Sequence, residues 1–64
     1  MLVIGYKKPV DWSKVKASFK KCTDMTTQDI EKAVKVIKSG QPCHLENDFV
    51  LEDDLKELGI LIQS

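Results

Sequence analysis

Cys22, Cys43 and His44 are the residues with the chemistry to ligate a soft metal or to act as nucleophile and base. Zinc asks for about four ligands at characteristic spacings. This set offers one adjacent pair and one distant thiol. A Cys–His nucleophilic site also needs an orienting group and an oxyanion pocket, and a chain of 64 residues has little room for either. The expectation is buried thiols beside a partly exposed histidine, with no enzymatic activity, cofactor, bound metal or small-molecule substrate. A redox or metal protein using these three residues is the competing reading.

The carboxylates Glu46, Asp48, Glu52, Asp53 and Asp54 raise the question of calcium. They lack the loop spacing and the glycine of an EF-hand. A solvated turn and a helix N-terminus account for them, and an acidic surface for a basic partner is the alternative. Charge is divided along the chain although the net charge is zero. Residues 1–38 hold nine of the ten lysines and four acids, a net of +5, and residues 39–64 are at −5. Such a split implies either a basic binding face or two halves that attract on folding.

Lys7, Lys8, Lys14, Lys16, Lys20 and Lys21 are the candidate face for nucleic acid or an acidic partner. They stand against one acid, Asp11, and would create a local positive potential to which phosphates respond without sequence readout. The chain has no arginine, so planar bidentate recognition of phosphate or guanine is missing. A second candidate surface is apolar. Val36 lies off the main stripe of its helix, and Leu61 and Ile62 form strand-like sequence. If exposed, they would mark a protein interface or a strand edge able to pair across a homodimer.

The element that must position these groups is Met25–Gly40. Thr26 suits an N-cap, Met25 and Ile30 have the spacing of a hydrophobic staple, and Gly40 suits a left-handed stop. Ile30, Ala33, Val34 and Ile37 recur at i, i+3, i+4 and i+7, one helical face. Before it, Trp12, Val15, Phe19 and Cys22 mark a second amphipathic helix capped by Asp11 or Ser13. The short link Thr23–Asp24 makes the two an αα-hairpin. Met1–Tyr6 reads as a strand, with Gly5 marking a bulge or a close approach and Pro9 preventing continuation.

Beyond Gly40, Cys43–Leu45 and Phe49–Leu51 are apolar runs separated by Glu46–Asn47–Asp48, which reads as a tight β-hairpin. Glu52–Gly59 reads as a short helix with acids in its first turn and a glycine stop. Ile60–Ile62 reads as a strand able to pair with Val3–Ile4. A single helix from about Leu51 to Leu61 is the competing assignment. The fold class expected is α+β, ordered β-α-α-β-β, then a short helix and a terminal strand, with the αα-hairpin on a small antiparallel sheet.

Leu51–Ile60 resembles the late helix of sterile alpha motif domains over ten residues, but the upstream five-helix pattern is missing and Met1–Tyr6 is strand-like. A helix pair ending Ile37-Lys38-Ser39-Gly40 and passing into a hairpin resembles a small αα-hairpin RNA-binding domain of some ribosomal proteins and pseudouridine synthases. This chain departs from it in lacking arginine and in its acidic turn, and neither resemblance carries residues across.

The longest uninterrupted apolar run, Met1–Ile4, is too short for a membrane span or a signal-peptide core. Two cysteines make no disulfide framework, and a cytoplasmic location is expected. A lysine-rich, arginine-free small chain suits a phage, plasmid or AT-rich bacterial genome. A domain this short hides only about 60% of the surface its unfolded chain exposes, which favours association. The expected function is a non-enzymatic regulatory or interaction protein that binds a protein partner or itself, with nucleic-acid binding through the lysines as the alternative and no membrane contact.

Overall fold

The computed structural model describes residues 1–63. Its elements are β1 (Leu2–Tyr6), α1 (Trp12–Cys22), α2 (Thr27–Lys38), β2 (Cys43–His44), α3 (Phe49–Glu57) and β3 (Ile60–Gln63). The α+β class stands, with an antiparallel sheet in the order β2-β1-β3. The order of elements differs from expectation at one place. Phe49–Leu51 is the first turn of α3 and not the second strand of a hairpin.

The cause is Asp48. Its side chain accepts a hydrogen bond from the Leu51 backbone N–H at 3.0 Å, satisfying a donor that a helix start leaves without a partner. Leu51, Leu55 and Leu58 then recur at i, i+4 and i+7, and the first two are fully buried. Burying that stripe outweighs the strand preference of a three-residue apolar run. The helix closes at Leu58, whose N–H bonds to the carbonyls of Asp54 and Leu55. Gly59 takes φ +97° in the turn that follows. A Cβ there would also stand 3.2 Å from the Lys7 carbonyl, so the position suits glycine twice over. This turn rules out the continuous helix from Leu51 to Leu61.

The other caps follow the reading of the residues. Asp11 accepts from the N–H groups of Ser13 and Lys14, Thr26 accepts from Asp29 N–H, and Gly40 sits at φ +83°. Val15 and Phe19 of α1 meet Ile30, Val34 and Ile37 of α2, Leu51 and Leu55 of α3, and Val3 and Ile60 of the sheet. The aromatic Tyr6 ties three elements together. Its ring meets Trp12 edge-on at 5.0 Å, its hydroxyl donates to the Lys38 carbonyl at 3.3 Å, and the Lys38 ammonium lies 5.1 Å from the Trp12 ring centre. Exposed cation–π contacts of this kind contribute about 0.5–1 kcal/mol.

The strand β1 bonds on both sides. Leu2 and Val3 face His44 and Cys43 of β2, while Leu2, Val3, Gly5 and Tyr6 face Gln63, Ile62, Leu61 and Ile60 of β3. A bulge at Ile4–Gly5 interrupts the second ladder. Strand residues alternate between faces, so Val3 and Tyr6 would otherwise lie on opposite sides. The extra residue brings both to the helix side, opposite Ile62 and Ile60.

Asp48→Ala is expected to lower unfolding free energy by about 1 kcal/mol, the usual cost of losing a cap, as read from the urea midpoint. An unchanged midpoint would mean that the α3 start is held by packing alone.

Candidate protein-interaction surface

All helices pack on one face of the sheet. α2 covers β1 and β2, α3 covers β3, and α1 rests on both helices. The inward residues Val3 and Ile60 are buried, and Tyr6, Cys43 and Ile62 pack partly buried against the same core. The outward residues are Leu2, Ile4, His44, Leu61 and Gln63. Ile4 is 48% exposed and Leu61 37%. The Leu61 side chain stands beside Gly5, where a Cβ would come to 3.9 Å from Leu61 Cδ1. The result is an apolar strip on a sheet face that none of the described helices covers.

The strip continues toward the start of α3. Phe49 lines an open groove with Met1, Leu2, His44, Glu52 and Gln63. Phe49 is 85% exposed and Val50 59%. Both precede the Leu51–Leu55–Leu58 stripe, so they fall off the buried face of α3.

Of the three apolar candidates read from sequence, Leu61 belongs to this strip. Ile62 points to the helix side opposite Val3, and Val36 is an exposed residue on a flank of α2. The reading of the residues missed Ile4, Phe49 and Val50. A signal was present in the leucine spacing of α3, which leaves Phe49 and Val50 outside its stripe.

The six lysines are all exposed but do not form one face. Lys14 and Lys21, seven residues apart on α1, border a groove with Ala17, Ser18, Asp54, Glu57 and Leu58. Lys21 Nζ bonds to Asp54 Oδ2 at 2.9 Å. That bond, and then the Asp54 charge, raise the Lys21 pKa above its ordinary value. Lys16 and Lys20 are four apart on another flank of α1, and Lys7 and Lys8 lie in the β1–α1 connection. Part of the basic half thus meets the acidic half within the fold.

Cys43 and His44 are neighbours on a strand and point to opposite faces. Cys43 packs against the core, and burial pushes its thiol pKa up. His44 is exposed and lines an open cleft with Cys22, Met25, Leu45 and Asp48. Among the described residues, no group of three or more His, Cys, Asp or Glu side chains is placed to hold a metal ion. No helix among them is long and apolar enough to cross a membrane. Comparison with protein-family models, curated proteins and solved structures gives no significant match.

At mildly alkaline pH, Cys43 is expected to react with iodoacetamide more slowly than a free cysteine, because the thiolate is the nucleophile. Stability from the buried thiol is fully present below the ordinary thiol pKa and is lost as pH rises through the raised folded value. Site-resolved alkylation rates by mass spectrometry check this, and a rate equal to that of a free thiol would contradict the burial. In Lys21→Met, the melting temperature is expected to drop slightly at low salt. That difference should vanish near about 1 M salt, where the Debye length is about 3 Å.

Proposed function

We propose that this chain is a non-enzymatic protein-interaction domain whose contact surface is the helix-free side of its sheet. The observation that carries the reading is that side's composition: Ile4 and Leu61 stand exposed beside Leu2, with Phe49 at the rim. Apolar side chains scattered singly on a surface need no explanation, whereas contiguous ones rimmed by polar groups mark binding sites. Here the rim is His44, Gln63 and Glu52. A protruding aromatic beside an aliphatic strip is also the make-up of an interface anchor.

Nucleic-acid binding through Lys7, Lys8, Lys14, Lys16, Lys20 and Lys21 is the competing function. The Lys21–Asp54 pair and the acids beside Lys14 count against a single phosphate-tracking face. Lys16, Lys20, Lys7 and Lys8 are left to carry that reading.

The test compares quantitative affinity capture by the native chain, by Ile4→Lys/Leu61→Lys and by Lys16→Glu/Lys20→Glu, each checked for folding by circular dichroism. The expected result is a protein held by the native chain and by the lysine variant, with recovery reduced roughly tenfold or more by the sheet-face variant, the scale of losing an anchor. Capture that follows the lysines and disappears with nuclease would overturn the reading. So would tight binding of duplex DNA or RNA that strengthens as salt is lowered.

A further inference from the structure

We propose that the helix-free face of the sheet takes a second copy of this chain, giving a two-fold dimer in which the two sheets pack face to face. The inference rests on the protein-interaction reading above and names the partner of that same surface.

Charge selects the partner. The chain carries ten lysines and ten acids and has no net charge. Its outward sheet positions Leu2, Ile4, Gly5, His44, Leu61 and Gln63 include neither lysine nor acid. Glu52, which lines the adjoining groove, is paired with Lys56 at 3.5 Å. A strongly basic or acidic partner finds no countercharge on such a face. A like face needs none. Two copies meet without like-charge repulsion, and a net charge of zero leaves no long-range field holding them apart. The polar groups present are also self-complementary. The Gln63 amide both donates and accepts, as does a neutral imidazole at His44. Each can bond to such a group of the second copy, whereas lysine facing lysine or acid facing acid cannot.

Shape agrees with charge. The face is the broad side of an antiparallel sheet. Two such faces pack about 10 Å apart with strand directions within about 30°. The helices contact the sheet and one another on the far side, so the dimer stacks as helices, sheet, sheet, helices. Ile4 and Leu61, exposed in the single chain, are the apolar residues that the second copy covers.

Size sets the strength. The Cα extents of the chain are 25 × 21 × 19 Å, so a flat face offers about 500 Å² at most, short of the roughly 800 Å² per partner of a standard interface. The dimer is therefore weak and assembles at chain concentrations of about 10 µM to 1 mM.

The contact leaves the sheet edge unused. Lys7 N–H donates to the Gly59 carbonyl at 2.8 Å, and hydrogen-bonded and non-bonded pairs alternate from there along β3. Leu61 and Gln63 thus turn their backbone groups toward β1, and Ile62 turns its N–H off the sheet. Association through the face covers the Ile4 and Leu61 side chains and leaves the Ile62 N–H in water.

The experiment measures the mass of the full chain by sedimentation equilibrium across that concentration range. In parallel, an equal mixture of isotope-labelled and unlabelled copies is examined by NMR for contacts between copies. The mass is expected to rise from one chain to two, with contacts between copies at the Ile4 and Leu61 methyl groups. Ile4→Lys/Leu61→Lys should keep the mass of one chain throughout while circular dichroism stays native. The contact measurement is made on the native chain and does not depend on that variant folding. One-chain mass over the whole range, an equal rise in the folded variant, or contacts elsewhere with protection of the Ile62 amide would overturn the proposal. A monomer whose Ile4 and Leu61 still retain a foreign protein would remove self-association and leave the interaction-domain reading standing. A monomer that retains nothing would remove both.

Discussion

The structure depends on β1 being paired on both sides. Among the described residues it is the only strand with two neighbours, and those neighbours come from widely separated parts of the chain. Leu45 N–H reaches the Met1 carbonyl at 2.9 Å and Lys7 N–H reaches Gly59 at 2.8 Å, so the ladders extend past both ends of β1. Backbone groups taken from water must find such partners. With β1 held, α2 and α3 have a floor, and α1 closes the core over them. A chain of this size has a stability margin of about 0.05–0.15 kcal/mol per residue. Burying one large apolar side chain such as Phe19 or Leu55 contributes about 1.5–3 kcal/mol, comparable with a large share of that margin.

The same constraint explains the open surface. Two helices cover the sheet from one side and a third caps them, so nothing is left in the described chain to cover the other side. Polar residues could have covered it, as they do at His44 and Gln63. Instead Ile4 and Leu61 stand there, with Phe49 near them. The bulge is responsible for part of this. By returning Tyr6 to the helix side it leaves Ile4 and Gly5 together on the outer one.

Much of the architecture was legible in residue types and spacing. Thr26 and Gly40 frame α2, the Trp12–Cys22 stripe marks α1, Gly5 flags the bulge, and Ile60–Ile62 finds β1. These are local signals acting where packing agrees with them. The failure at Phe49–Leu51 has a physical cause. Apolar triplets flanking a polar turn satisfy a hairpin pattern, and period cannot be measured over three residues. Asp48 as a cap and Leu51–Leu55–Leu58 as a stripe decide the matter, but they span the boundary between two assigned segments. The exposed strip was less legible for a different reason. Whether Ile4 or Ile62 faces water depends on the bulge and on pairing register, and one residue of register exchanges the faces. The lysines were legible as charge, whereas their division between a groove with Asp54 and other flanks required the helix packing.

The central claim is that β1 is paired on both sides and leaves β3 at the edge of the sheet. Residue-resolved amide hydrogen exchange on the unliganded chain tests it most directly. The account predicts slow exchange at Leu61, whose N–H turns toward β1, and fast exchange at its neighbour Ile62, whose N–H turns off the sheet. Equal, strong protection at both residues would contradict it, because the edge would then already be covered.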